Sequence, residues 1–249
     1  MLSVRDLSLK LGGLQILNDL TFDVKERSIT GLIGPNGAGK TSFFNAVFGL
    51  FSPQKGSVKL DGVELIGKEA HEVNRLGVIR SFQDARLLPQ ITVMENLLLS
   101  AKYAYPVTLR RVFFDRKKLR EEERAHRSQA MTLLKRVGLE GKADVLAKNL
   151  SYGQTKLIEI LKIFMSDSKV VFLDEPFAGL FPEMIKLITK LIRELVKSGR
   201  TIMFVEHNMK LIAEICDHVV VLDAGSKIAE GTFDAIKRNP EVIEAYLGD

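Results

Sequence analysis

Apolar and polar positions alternate at the start of the chain. Leu2, Val4 and Leu7 form one run, and Ile16, Leu17, Leu20, Phe22 and Val24 form a second, with Gly12-Gly13 between them. Successive side chains of a strand point to opposite faces, so this spacing predicts two half-buried strands joined as an antiparallel hairpin. The pattern then changes. Ile29-Thr30-Gly31-Leu32-Ile33, Val170-Val171-Phe172-Leu173, Thr201-Ile202-Met203-Phe204-Val205 and His218-Val219-Val220-Val221-Leu222 are short, nearly continuous apolar runs of the kind found in parallel strands covered on both faces. Between the second and third of these, Pro182-Glu183 opens a helix. Its apolar positions, Met184, Leu187, Ile188, Leu191, Ile192 and Leu195, follow a 3.6-residue period until Ser198-Gly199 stops it. Strand, helix and strand in that order predict a parallel sheet with helices on its faces.

From about Asp84 to Met165 the pattern is mostly helical, which predicts a helical subdomain inserted between parts of the sheet. After the last apolar run come a turn at Asp223-Ala224-Gly225 and a short polar helix near Pro240. No internal repeat or low-complexity segment interrupts the chain.

The composition, 46% hydrophobic and 27% charged over 249 residues, is that of an ordinary globular domain with a sizeable core. No stretch approaches the roughly 20 apolar residues of a membrane span, and the start lacks the layout of a signal peptide, so a cytoplasmic location is expected. The single cysteine, Cys216, excludes an internal disulfide and reads as a buried structural thiol. The net charge of +5 is local. Between Tyr103 and Ala130 eight bases (Arg110, Arg111, Arg116, Lys117, Lys118, Arg120, Arg124, Arg127) face four acids. Spacings such as Lys117/Glu121 and Glu123/Arg127 suit a solvated helix with i,i+4 pairs, while lipid headgroups, a membrane partner or nucleic acid are the alternatives for that segment.

The candidate chemistry begins with Gly34-Pro35-Asn36-Gly37-Ala38-Gly39-Lys40-Thr41, followed by Ser42, which satisfies G-x-x-x-x-G-K-[ST] between a strand and a helix. Glycines let successive backbone N–H groups turn toward phosphate oxygens, and the helix presents its positive end to the same anion. Lys40 would contact the β and γ phosphates, and the Thr41 hydroxyl would ligate Mg²⁺. Asp174-Glu175, at the end of the apolar run Val170–Leu173, is an acidic pair that would be an ordinary surface turn by itself. Beside a phosphate loop it becomes a hydrolytic pair, with Asp174 on Mg²⁺ and Glu175 orienting and deprotonating the attacking water. Leu150-Ser151-Tyr152-Gly153-Gln154 lies before that pair and opens a helix, with Ser151 as a plausible N-cap and a second anion-binding surface.

Taken together, these motifs resemble the ATP-binding subunits of ABC transporters, in which Leu-Ser-x-Gly-Gln is the signature loop that reaches across a dimer interface to the partner's γ-phosphate. The resemblance covers essentially the whole chain. It implies an α/β fold with a RecA-like P-loop NTPase core built on a parallel sheet, an N-terminal antiparallel β subdomain and an inserted α-helical subdomain. The expected layout is one ABC ATPase domain over 1–249, with 1–83 and 167–249 as the nucleotide-binding core and 84–166 as the helical part. It also implies ATP and Mg²⁺ as ligands. Ser151, Gly153 and Gln154 would lie on the partner's nucleotide, Gln83 would sense Mg²⁺ and the attacking water, and His207 would contact the γ-phosphate. Thr41, Gln83 and Asp174 would hold the metal. Gly77–Gln83, Thr92–Leu97, the basic insertion, Tyr152 and the ending Asn239–Gly248 further resemble ATP-binding subunits of branched-chain amino-acid uptake systems. The implied partners are a second ATP-binding subunit, identical or related, membrane-spanning permease subunits, and a solute-binding protein acting through the permease. The chain would sit on the cytoplasmic face of the cell membrane, and no nucleic acid is expected. The competing possibilities are a soluble ABC ATPase of nucleic-acid repair, translation or cofactor assembly and a small-molecule phosphotransferase.

Three positions depart from the family pattern. Leu11 stands where an aromatic residue usually stacks on adenine, Phe181 stands where Asp or Asn helps to connect the two sites of a dimer, and Lys156 follows the signature where a basic pair is common.

Overall fold

The structure is a computed structural model that describes residues 1–81, 87–102 and 115–247. The chain divides into two compact units. The first is Met1–Gln83 with Ser168–Ala178 and Ile192–Asp249, and the second is Asp84–Asp167 with Gly179–Leu191.

Two sheets build the first unit. The predicted hairpin forms from β1 (Leu2–Leu11) and β2 (Leu14–Val24), with Leu2 opposite Val24 and Leu11 opposite Leu14. Gly12 and Gly13 turn the chain between them at φ 54° and 87°. Two consecutive left-handed residues give the twist that a two-residue hairpin loop needs, and glycine adopts them without a Cβ penalty. A second hairpin, β4 (Lys55–Leu60) with β5 (Val63–Glu64), extends the antiparallel sheet in the order β2-β1-β4-β5. This hairpin was not anticipated, because Lys55-Gly56-Ser57-Val58-Lys59-Leu60 buries only Val58 and Leu60 and shows too short an alternation.

The other sheet has six strands in the order β10-β9-β3-β8-β7-β6. β3 (Ile29–Ile33), β7 (Val170–Asp174) and β8 (Thr201–Val205) are buried at every position, as their continuous apolar runs require. They run parallel to one another, and to β6 (Val78–Ser81) and β9 (His218–Asp223) on either side. The edge strand β10 (Ser226–Gly231) is antiparallel to β9. Its residues are mostly half-buried, so Ser226-Lys227-Ile228-Ala229-Glu230-Gly231 carries little patterning, and the sequence suggested only a turn before the terminal helix.

Helix α1 (Lys40–Val47) joins the two sheets into one core. Its Phe43, Phe44 and Val47 belong to the same buried cluster as Leu7, Leu9, Leu20 and Phe22 of the antiparallel sheet and Phe172, Met203 and Val220 of the parallel one. The rings meet edge to face, Phe22 on Phe43 at 5.4 Å and Phe44 on Phe172 at 4.8 Å between centroids. Such pairs add about 0.5–1.5 kcal/mol each beyond the burial of their area. This packing fixes the position of Lys40, the first residue of α1. On another face of the sheet, the Cys216 sulfur sits where a Cβ on Gly31 would approach within 2.8 Å. Cys216 is half-buried rather than fully buried, and burial pushes the pKa of its thiol up to about 12, which disfavours the nucleophilic thiolate.

The second unit is helical. Helix α3 (Val93–Leu98) follows α2 (Ala70–Arg75) in the chain and starts with a capping box, in which Glu95 N–H donates to the Thr92 hydroxyl at 3.1 Å and Thr92 N–H donates to the Glu95 carboxylate at 2.7 Å. Helices α4 (Arg116–Arg136) and α5 (Tyr152–Met165) pack with it around Val93, Met94, Leu97, Ala130, Leu133, Leu134, Leu157, Ile158 and Leu161. The predicted helix after Pro182 is α6 (Pro182–Lys197), of which residues 182–191 belong to the second unit and 192–197 to the first. It ends before Gly199, whose φ of 98° admits no further turn.

Candidate active site

The phosphate loop is built by exclusion of side chains. A Cβ at Gly34 would stand 2.1 Å from the Leu222 carbonyl oxygen, and one at Gly39 would stand 2.8 Å from Leu17 Cδ2 and 2.9 Å from the Ile16 carbonyl oxygen. Gly34, Gly37 and Gly39 also have φ of 150°, 81° and 96°, in the region that favours glycine. The loop therefore curls tightly against β2 and β9 before α1 starts. Lys40 is buried, and its ammonium donates to the carbonyls of Gly34 and Pro35, each at 2.7 Å, so it lies within the curve of its own loop. Burial pulls its pKa below the usual lysine value, against the opposing charges of Glu175 and Asp174. Asn36, Gly37 and Thr41 are exposed and Ser42 is half-buried, whereas Ala38 and Gly39 are buried.

The acidic pair ends β7, and its two members are held in opposite ways. Asp174 is 4% exposed, and its Oδ2 accepts from Arg80 at 2.6 Å. Arg80 comes from the neighbouring strand β6, donates a second bond to Asn45 Oδ1 of α1 at 2.7 Å, and stacks over the Phe44 ring at 5.5 Å. A carboxylate so deep needs a paired cation, and the planar guanidinium also braces strand to helix. Glu175, one residue on, adopts φ 47°. That left-handed conformation costs a non-glycine residue about 1–2 kcal/mol. It is held by Glu175 N–H donating to the Val205 carbonyl of β8 at 3.1 Å, and the side chain is half-buried where that of Asp174 is buried.

His207 follows β8. Its Nε2 lies 3.2 Å from Glu175 Oε1, which puts the histidine in hydrogen-bond contact with the outer carboxylate. The intervening Glu206 is, after Arg80, a second residue that sequence inspection missed. It is buried, and its Oε1 accepts from the backbone N–H groups of His207 at 3.0 Å and Asn208 at 3.1 Å. Burial raises its pKa, while those two donors act against the rise. Asn208 then caps α7 (Met209–Ile215) through Oδ1. The signal for both missed residues was a charged residue beside or within an apolar strand, where burial demands a partner.

Lys40, Asp174, Glu175 and His207 all lie at the carboxyl ends of β3, β7 and β8, which are adjacent in the sheet. Ser151, Gly153 and Gln154 belong to the second unit. Ser151 caps α5, its hydroxyl accepting from Gln154 N–H at 3.3 Å while the Gln154 side chain accepts from Ser151 N–H at 3.1 Å. A Cβ at Gly153 would stand 3.1 Å from Met184 Cε. Lys156 is not presented beside the signature as a basic pair would be. It is buried, with its ammonium 5.6 Å above the Tyr152 ring and 3.9 Å from Glu159. Phe181 is 81% exposed. Leu11 ends β1 and packs, half-buried, against the core of the first unit. Gln83 lies outside the described residues.

Comparison with known proteins accounts for this arrangement. Residues 17–178 match the ABC transporter family model, and residues 226–249 match that of the branched-chain amino acid ATP-binding cassette transporter. This chain belongs to the ATP-binding cassette family of transport ATPases. Within that family it is 38% identical, over its full length and 98% of the relative's, to the high-affinity branched-chain amino acid transport ATP-binding protein BraF of Pseudomonas aeruginosa. It is 37% identical, with the same coverage, to the protein LivG of Escherichia coli. Among solved structures, a nucleotide-free ATP-binding cassette from an ABC transporter superposes with a TM-score of 0.83 at 30% identity, covering 100% of this chain and 99% of the other. The ADP conformation of another such cassette gives 0.82 at 27% identity, covering 100% and 99%.

Replacing Arg80 by Met strands the Asp174 carboxylate, and the unfolding free energy in urea should fall by about 3–5 kcal/mol. Arg80→Met with Asp174→Asn should recover most of that loss. Equal destabilisation by the single and double variants would contradict the pairing.

Proposed function

We propose that this chain is the ATP-hydrolysing subunit of a transporter that imports branched-chain or related amino acids. It would work as a dimer on permease subunits at the cytoplasmic face of the cell membrane. The observation that carries the proposal is the gathering of Lys40, Asp174, Glu175 and His207 at the carboxyl ends of three adjacent parallel strands, the edge where open α/β sheets bind ligands. The transport functions of the BraF and LivG relatives, similar over the whole chain, support the choice of solute.

The steps follow from the chain's own groups. Backbone N–H groups of the loop Gly34–Gly39 and the start of α1 hold the phosphates, and Lys40 exchanges its two loop carbonyls for phosphate oxygens. Glu175, half-buried and within 3.2 Å of His207, accepts the proton of the attacking water. His207 orients that carboxylate and the γ-phosphate. Mg²⁺, when bound, neutralises charge on the phosphate oxygens. Thr41 and Asp174 suit it as hard oxygen donors, since the Arg80 bond uses only Oδ2 of Asp174, and Gln83 would complete the set. The signature residues Ser151, Gly153 and Gln154 serve the nucleotide on the second ATP-binding subunit, and a solute-binding protein delivers the amino acid to the permease. Residues 1–249 act as one cassette, with 84–166 as the helical part that meets the permease. Leu11 gives adenine an apolar contact without a π face.

Glu175→Gln should lower the ATP turnover rate by about 10²–10⁴-fold while leaving ATP affinity near the wild-type value, because it removes the base and keeps the phosphate contacts. Wild-type turnover would rule out Glu175 as the base. Leu11→Tyr should tighten ATP binding by about 0.5–1.5 kcal/mol, seen as a lower Kd for ATP but not for triphosphate alone. An equal gain for both ligands would place Leu11 away from adenine.

A further inference from the structure

Glu206 stands between two residues that touch Glu175. Val205, before it, accepts the Glu175 N–H through its carbonyl at 3.1 Å, and Nε2 of His207, after it, lies 3.2 Å from Glu175 Oε1. Glu206, His207 and Asn208 form the whole connection from β8 to α7, outside strand and helix. Backbone N–H groups in such a connection need acceptors that regular pairing does not supply. Side chains supply them here. Glu206 Oε1 accepts from His207 N–H at 3.0 Å and from Asn208 N–H at 3.1 Å, while Asn208 Oδ1 accepts from Lys210 N–H at 3.0 Å and from Leu211 N–H at 3.4 Å. The Asn208 bonds are an ordinary helix cap. Those of Glu206 are not, because the residue is 7% exposed and uses only one of its oxygens. Its Oε2 is buried without a hydrogen-bond partner. A half-satisfied buried carboxyl works against folding, so its presence points to a role beyond stability. His207 gives that role its object. The histidine side chain is 44% exposed, so packing holds the ring only in part, and the backbone of 206–208 decides where the ring starts.

We propose that Glu206 is a positioning residue of the hydrolytic step: by accepting from both N–H groups it fixes the backbone of His207, and thereby sets the imidazole against the Glu175 carboxylate. Its action runs through His207. Both bonds go to one oxygen, which a Gln carbonyl also offers, so the role needs an acceptor at that place and not a negative charge. Displacing a group that orients reacting atoms by about 1 Å can cost about 100-fold in rate. The phosphate loop lies between β3 and α1 and takes no part in these bonds, so the effect falls on turnover and spares ATP affinity. The inference rests on the proposed place of Glu175 and His207 in ATP hydrolysis.

Steady-state ATPase kinetics of the purified chain, with kcat counted per ATP-binding chain, test it. Glu206→Met keeps the length of the side chain without its oxygens, and should lower kcat by about 10- to 100-fold with the KM for ATP within about twofold of the wild type. Glu206→Gln, which keeps the acceptor, should hold kcat within about threefold of the wild type. His207→Ala should be slow by itself, and adding Glu206→Met to it should cost no more than about twofold further, because a residue that acts through His207 then has nothing left to position. If Glu206→Met does not fold, Glu206→Ala takes its place with the same expectations. Equal losses in the Gln and Met variants, an undiminished loss in the His207→Ala background, or a raised KM with kcat unchanged would overturn the proposal. Slow turnover in His207→Ala beside wild-type turnover in Glu206→Met would overturn the positioning role alone. Wild-type turnover in His207→Ala, or none in the wild type, would remove the proposed hydrolytic site and the role of Glu206 with it.

Discussion

Everything at this site depends on how a fully buried strand ends. β7 delivers two carboxylates from the middle of a parallel sheet, where an unpaired charge is untenable. The chain handles them differently within one residue. Asp174 stays inside and is neutralised by Arg80 at 2.6 Å, while Glu175 takes a left-handed backbone and is only half-buried. The strain at Glu175 is local, held by a bond to β8, and it places the side chain against His207 at 3.2 Å. A non-glycine residue in that conformation at the end of a core strand is the kind of stored strain that functional sites retain.

The Arg80 side chain links this event to the phosphate loop. It holds Asp174 with one nitrogen and Asn45 of α1 with another, and lies over Phe44. The helix that starts at Lys40 is thereby tied to the strand that ends at Asp174, and the aromatic cluster of Phe22, Phe43, Phe44 and Phe172 fixes both. Nucleotide phosphates, metal and water would need these groups in register to a few tenths of an ångström, and a close-packed core provides that where a flexible loop would not. His207 rides on a short connection whose backbone is held by buried Glu206, so it too is carried by the sheet.

The parts legible in the sequence were those where one residue type satisfies a strong local demand. The glycines of the phosphate loop, the continuous apolar runs of β3, β7 and β8, the hairpin at Gly12-Gly13 and the cap at Ser151 all belong to this class. The strands β4, β5 and β10 escaped because they are short, half-polar and stabilised by pairing with neighbouring strands rather than by a pattern of their own. Arg80 and Glu206 escaped for a related reason. Each looks like an ordinary charged residue until the fold buries it against Asp174 or the backbone of His207 and Asn208, and a charge beside an apolar strand does not announce a partner 94 residues away. Lys156 is a third charged residue whose burial, here against the Tyr152 ring, no local pattern announced.

In the proposed function the loop around Lys40 binds ATP as the first half of a hydrolytic site. Calorimetric titration of the purified chain with MgATP tests it most directly. The wild-type chain should bind one ATP per chain, and Lys40→Met should weaken that binding by about 10- to 100-fold, the worth of charged hydrogen bonds to phosphate. Equal affinity in the two proteins, or no affinity in the wild type, would contradict the account.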